Sequence, residues 1–250
     1  MTEEHQTPRT RGMSGALHDS KDIPPATVSR LATYLRVLGV MVDAGTLIVS
    51  SEELAAAAGV GSAKLRKDLS FLGPNGVRGV GYDVARLRSR IERALGLEQG
   101  HRVILVGVGN LGRALAGYGG FARRGFTMVG LFDTAPELIG TTVGELPVRD
   151  VADLMPACVE LEPTIAVVAV PDEAAQLTCD RLVEAGVRCV LSFSPLALDV
   201  PGHVEVRRVD LAVEMQMLSF SNTRNGLAAS MGASRLAHRR GLSEGSVVSQ

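Results

Sequence analysis

The stretch from Arg102 to Leu115, RVILVGVGNLGRAL, constrains the fold of this chain more than any other. Apolar residues Val103 to Val106 lead straight into Gly107-Val108-Gly109-Asn110-Leu111-Gly112, and an alanine- and leucine-bearing segment follows at once. Strand, tight glycine turn and helix in that order form the setting in which G-x-G-x-x-G has a physical meaning. Gly107 permits the turn and Gly109 lets a pyrophosphate approach the backbone. Gly112 lets helix and strand pack closely, and the helix N-terminus faces the anion. A dinucleotide is the ligand this pattern implies.

The rhythm continues beyond it. Strands are predicted at Val103–Val106, Thr127–Phe132, Thr164–Val170, Cys189–Phe193 and Val204–Val206, with helices at Leu111–Tyr118, Val151–Leu161, Glu173–Glu184 and Leu211–Leu218. Apolar strands alternating with helices imply a parallel, doubly wound sheet. The second strand ends at Asp133, 26 residues past Gly107, about where a carboxylate takes the adenosine ribose hydroxyls. A carboxylate there repels the extra phosphate of NADP, and Thr134-Ala135-Pro136 offers no Arg to receive it, so NAD(H) is favoured. Taken without the glycine motif, Asp133 leaves open the lesser alternative of a solvent-facing turn residue.

A dehydrogenase also needs a positioned acid or base. The only lysines are Lys21, Lys64 and Lys67, so the Rossmann half has none. The histidines, His5, His18, His101, His203 and His238, fall in tails, the linker or a predicted loop. Tyr118 is the best remaining candidate near a nicotinamide, and a lone tyrosine more often packs or hydrogen-bonds. No catalytic residue is therefore assigned. This half reads as a sensor of NAD(H).

A different module precedes it. From Pro24-Pro25 a helical pattern runs through Val28, Leu31, Leu35, Leu38 and Val42, with Gly45 as its stop. Ser50 and Glu53 offer a capping box for a second helix, and Gly59-Val60-Gly61 turns into a third, Ala63 to Leu72, capped by Ser62. That is a helix-turn-helix pattern. On the third helix Leu65, Leu69 and Leu72 form one stripe, while Lys67 points away from it with Lys64 and Arg66 on its flanks. Between Val60 and Arg93 eight basic residues stand against three acids, a local excess of five in a chain of net charge −1. Such a face suits the major groove, although a solvated basic helix has the same composition. Gly76-Val77-Arg78-Gly79-Val80-Gly81-Tyr82 then reads as a glycine-rich wing, and Asp83 caps a fourth helix, Val84 to Leu95.

The remaining composition narrows the class. With 46% hydrophobic residues, 21% charged and no apolar run near the ~20 residues of a bilayer span, the chain reads as a globular protein with no membrane partner. Cys158, Cys179 and Cys189 form no C-x-x-C pair, which suits reduced thiols in a cytoplasmic protein, and no metal-ligand spacing is present.

Together these blocks resemble the Rex redox-sensing transcriptional repressors of Gram-positive bacteria, and the abundance of Ala, Arg, Val and Gly resembles their actinobacterial members. The resemblance runs from about Ile23 to Phe220, through IPPATVSRLATYLRVL, SSEELAAAAGV, KLRKDLSFLG, VRGVGYDV, LVGVGNLGRALAGYGGF, RGFTMVGLFD, VAVPDEAAQ and VDLAVEMQMLSF. It implies a winged-helix domain at 23–96, a Rossmann domain at 101–208 and a helix at 209–221 exchanged between subunits, with disordered tails at 1–22 and 222–250. Leu211, Met215 and Leu218 give that helix its apolar stripe.

The function implied is a homodimeric repressor of respiratory and fermentative genes. It binds an inverted-repeat double-stranded operator and is released by NADH, with NAD⁺ as the competing effector. The implied nucleotide site comprises Gly107, Val108, Gly109, Asn110, Leu111, Gly112, Asp133, Val170, Pro171, Phe193, Ser194, Pro195 and Tyr118. The DNA contacts are Ser51, Lys64, Arg66, Lys67, Arg78, Gly79 and Tyr82, and Arg36, Tyr118 and Asp210 belong to the switch, with Arg36 able to pair with Asp210 of the swapped segment. Two other readings fit the residues alone: an NAD-dependent oxidoreductase with an N-terminal accessory domain, and a protein-interaction module with NAD as a structural cofactor.

Overall fold

A computed structural model describes residues 23–77 and 79–223. The expected tail at 1–22, Arg78, and the expected tail at 222–250 beyond its first two residues lie outside the described residues; residues 222 and 223 are helical. The chain divides into two compact units, Met1–Gly100 and His101–Gln250.

In the first unit α1 spans Pro25–Asp43, α2 Ser51–Ala57, α3 Ser62–Ser70 and α4 Val84–Ala94. Each boundary has a local cause. A proline at the start of α1 needs no amide partner there, and Gly45 takes the left-handed conformation just past its end (φ 73°). The Ser50–Glu53 capping box forms in both directions, and the Asp83 side chain accepts from the Arg86 amide. Ser62 is the first residue of α3 rather than its cap, because Gly61 holds the extended cap position and makes no side-chain bond.

Two short strands that the periodicity does not show, β1 (Ile48–Val49) and β2 (Tyr82–Asp83), pair antiparallel. Two-residue strands carry no alternation to read. Leu31, Tyr34, Leu38, Leu54, Leu65, Leu69, Leu87 and Ile91 close the core between the helices.

The second unit is a seven-stranded sheet. Its strands are β3 (His101–Val106), β4 (Phe126–Asp133), β5 (Thr142–Val143), β6 (Leu146–Asp150), β7 (Ile165–Val168), β8 (Cys189–Ser192) and β9 (Glu205–Arg208), in the order β5-β6-β4-β3-β7-β8-β9. All neighbouring pairs are parallel except β5 with β6. The helices are α5 (Asn110–Ala116), α6 (Leu154–Leu161) and α7 (Asp172–Glu184). Along β3, Val103 and Leu105 pack into one core and Ile104 and Val106 into the other, so both faces are covered. β5 and β6 are absent from the sequence-based expectation, since β5 has only two residues and proline and charge interrupt the apolar pattern of β6. A helix over residues 211–223 ends the described chain, with the Asp210 carboxylate accepting from the amides of Ala212 (2.9 Å) and Val213 (3.2 Å).

One buried charge organises the first unit. Asp68 of α3 is 1% exposed and accepts from Thr27 Oγ1 (3.1 Å), Arg30 Nε (2.6 Å) and Nη2 (2.7 Å), and Tyr34 Oη (2.8 Å), all on α1. The hydrogen bonds from Arg30 hold the Asp68 carboxyl below the usual 3.8, and burial pushes the Tyr34 phenol up to about 12. A carboxylate whose folded pKa is depressed lends stability above its unfolded pKa and loses it as pH falls through the folded one. Asp68→Ala, which strands these donors, is expected to destabilise the first unit by about 3 kcal/mol at neutral pH. Urea titration of the full chain at pH 7 and again near pH 3 measures this, and the gap between wild type and variant should shrink at the lower pH.

Candidate dinucleotide site and nucleic-acid interface

The strand order β6-β4-β3-β7-β8-β9 reverses direction of growth between β3 and β7, and ligands of open α/β sheets bind at the carboxyl ends there. Gly107 closes β3 in a conformation with φ 96°, and a Cβ on it would lie 2.5 Å from the Ala169 carbonyl oxygen just past β7. At Gly112 a Cβ would collide with the Gly107 carbonyl oxygen, so α5 meets the loop with no room for a side chain. Gly109 differs from both: its φ is −69° and a Cβ would meet nothing within 4 Å. The protein itself does not require glycine at 109. What glycine leaves there is open space beside the first N–H groups of α5, which have no partner within the helix.

Asp133 ends β4 with its carboxylate accepting from the amides of Val108 (2.6 Å) and Ala135 (2.9 Å). It therefore braces the glycine loop and its own turn, and each oxygen keeps a lone pair for a further donor. Val170 packs against Gly107 and leads to Pro171. After β8, the Phe193 amide donates to the Val168 carbonyl (3.0 Å), and Ser194 is buried with its hydroxyl accepting from the Leu196 amide (3.3 Å) ahead of exposed Pro195. The ends of four adjacent parallel strands thus gather residues 107–112, Asp133, Val170-Pro171 and Phe193–Pro195 on one edge of the sheet. Tyr118 lies past the far end of α5, about 10 Å along the helix from the loop, with its ring edge-on to Phe121 at 5.1 Å.

In the first unit Lys64 and Lys67 are exposed on α3, opposite buried Leu65 and Leu69. Arg66 is exposed too, but its Nη1 is held by Ser51 Oγ (3.0 Å) and Glu52 Oε1 (3.0 Å) on α2. The wing is a tight turn: Val77 and Gly81 exchange backbone hydrogen bonds of 3.1 Å, with Gly79 (φ 83°) at the tip. Gly81 has its Cβ position against the Val49 carbonyl oxygen, which fixes the wing on β1. Between wing and helices lies a groove of about 800 Å³, bordered by Ser51, Glu52, Arg66, Asn75 and Tyr82. Burial pushes the Tyr82 phenol up, while the hydrogen bonds from its own backbone amide and from Arg66 hold the Glu52 carboxyl low. Arg36 is exposed on α1.

Comparison with known proteins follows this division. A family model described as "Putative DNA-binding protein N-terminus" matches residues 22–70, and one described as "CoA binding domain" matches 98–196. The redox-sensing transcriptional repressor Rex of Streptomyces coelicolor is 52% identical over 205 residues, covering 82% of this chain and 80% of the relative. The chain belongs to the Rex family of redox-sensing transcriptional repressors.

Two solved Rex-family structures align along most of their length. The crystal structure of RSP in complex with β-NADH has a TM-score of 0.76 at 31% identity, covering 84% of this chain and 99% of that one. The complex of RSP with β-NAD⁺ and operator DNA has a TM-score of 0.77 at 32% identity, covering 84% and 97%. Among the described residues of this Rex-family chain no group of His, Cys, Asp and Glu could hold a metal ion, and no helix is long and apolar enough to cross a membrane.

Two residues of this part of the Rex fold do not stand out in the sequence. Asp68 counts there as one more surface charge, although its helical position lies beside the Leu65–Leu69 stripe and so points inward. Glu52 gives no signal, because its partner Arg66 sits on the next helix. The glycines give a direct test: Gly112→Ala is expected to cost about 3 kcal/mol or more through overpacking, while Gly109→Ala leaves the thermal midpoint within a degree or two of wild type. Differential scanning calorimetry of both variants decides it.

Proposed function

We propose that this chain is a homodimeric transcriptional repressor that holds an inverted-repeat operator and lets it go when NADH binds. The observation that carries the proposal is the pairing, in one Rex-family chain, of an open glycine loop at a sheet's switch point with a cation-bearing helix behind a wing. The open space at Gly109 fits a pyrophosphate, and by itself it would suit an adenosine-diphosphate cofactor of any kind. Asp133 turns that toward NAD(H), since a carboxylate partner for the ribose hydroxyls leaves no place for a 2′-phosphate. In this reading Gly107–Gly112, Asp133, Val170, Pro171 and Phe193–Pro195 hold the nucleotide and Tyr118 borders it. Lys64, Arg66, Lys67, Ser51 and Tyr82, with the wing at Arg78-Gly79, hold the DNA. The domain limits proposed are 23–96 and 101–208, followed by the exchanged helix from 209.

The dimer is supported by the C-terminal helix. Leu211, Val213, Met215, Met217, Leu218 and Phe220 are between 45% and 69% exposed in the single chain, an apolar surface that a second copy would cover. The proposed protein regulates rather than catalyses, and works in the cytoplasm. The reduced nicotinamide is neutral, whereas the oxidised ring carries a charge that is costly to bury. Val170, Pro171 and Phe193 supply the apolar strand-end surface on which that difference acts. A preference of one dimer geometry for the neutral ring then shifts the spacing of the two α3 helices off half-sites one helical turn apart. Arg36 and Asp210 are the proposed switch pair; Asp210 caps the start of the helix over 211–223, for which the exchange is proposed.

DNA binding by the full chain to fragments of its own genome, titrated with NADH and with NAD⁺ at fixed salt, tests the proposal. A specific complex dissolved by NADH at concentrations where NAD⁺ leaves it intact is expected; turnover of NADH with a carbonyl substrate and no specific DNA would refute it. Asp210→Ala is expected to keep operator binding and weaken NADH-driven release at least ~10-fold, read as the NADH concentration for half release.

A further inference from the structure

Three cations lie on α3, and they are not equivalent. Neither Lys64 nor Lys67 has an ion-pair partner among the described residues, so both present a full charge to any polyanion. Arg66 is held differently. Its Nη1 donates to Ser51 Oγ and to Glu52 Oε1, both at 3.0 Å, and its Nη2 reaches Ser62 Oγ at 3.4 Å. The guanidinium therefore rests on the first turn of α2, over the groove that the wing and Tyr82 border, and its Nε–H makes no hydrogen bond among the described residues. Glu52 itself is exposed, 68% by side-chain surface, in the first turn of α2.

Resting on the reading that α3 meets operator DNA, we propose that Glu52 is a specificity-determining residue that withholds the charge of Arg66 from arbitrary phosphates and presents its free edge in one fixed posture. An exposed ion pair of this kind adds little to folding. Its consequence lies in binding. Non-specific affinity comes almost wholly from cations that displace counterions on phosphates, and a guanidinium already neutralised at 3.0 Å contributes little to it. Base recognition depends on the planar fork arriving in a defined orientation, and the bonds to Ser51, Glu52 and Ser62 supply that orientation before DNA is met. Glu52 thus lowers the affinity for wrong sequences more than for the right one. Its neighbour Glu53 acts elsewhere, since its carboxylate accepts from the Ser50 amide (2.9 Å) and closes the capping box.

The test compares Glu52→Gln with Glu98→Gln in the full chain. Both remove one negative charge from a solvent-exposed arginine pair, but Glu98 pairs with Arg93 of α4, outside the groove. Operator and scrambled duplexes of equal length are titrated across a range of salt by fluorescence anisotropy. For Glu52→Gln the scrambled duplex should bind about 3–10-fold more tightly at low salt, with a salt slope steeper by about one, while the operator gains less. The specificity ratio therefore falls at least ~3-fold for Glu52→Gln and stays unchanged for Glu98→Gln. Equal ratios in both variants, or a ratio that rises, overturn the assignment of Glu52 while leaving the repressor function intact. A wild-type chain that prefers no operator at all overturns the function beneath it, and this inference with it.

Discussion

At the switch point of the sheet, backbone touches backbone. Gly107 turns under the Ala169 carbonyl, and α5 starts so close to the loop that Gly112 has no space for a methyl group. This contact sets where α5 begins, how far it stands from β3 and β7, and therefore how much room remains beside Gly109. The Asp133 carboxylate then fixes the loop from the β4 side through the Val108 amide. The open surface beside Gly109 needs no mobile part to be formed: steric exclusion at two glycines and one charge-assisted hydrogen bond produce it.

The first unit solves a similar problem with a different device. The nine-residue helix α3 is too short to be stable by itself, so it must be held by its neighbours. Leucines 65 and 69 hold it without fixing its rotation tightly, because apolar contact is weakly directional. Asp68 adds direction. Four donors from α1 converge on one carboxylate, and a helix rotated by even part of a turn would strand them. The buried charge is thus the element that determines which face of α3 points outward, and Lys64 and Lys67 follow from it.

Much of this is legible in the residues, and the gaps have physical reasons. The glycine loop, the capping box at Ser50, the Asp83 cap and the leucine stripe of α3 are local devices, so a short window contains all their parts. β1, β2 and β5 span two residues each and have no period to detect. β6 carries Pro147 and Arg149, which hide it from a search for apolar runs. Asp133 reads from the sequence as a ribose ligand or a turn residue, not as a brace; its bond to Val108 crosses 25 positions, beyond any local pattern. Arg66 falls on the flank of the basic face, as its helical position requires, but its tether lies on another helix, which only the folded chain reveals.

The helix over residues 211–223 carries a consequence of another kind. A helix without tertiary packing is marginal in water, and this one carries its apolar side chains outward from the Asp210 cap at its start. Whatever covers that surface must also supply the free energy that orders the backbone beneath it, so docking and helix formation become a single thermodynamic event. Should a second copy be the cover, the ordered fraction of this segment depends on the number of chains present. Abundance then enters the response of the molecule alongside its small ligand, and dilution alone would loosen the part of the chain on which Asp210, the proposed switch residue, sits.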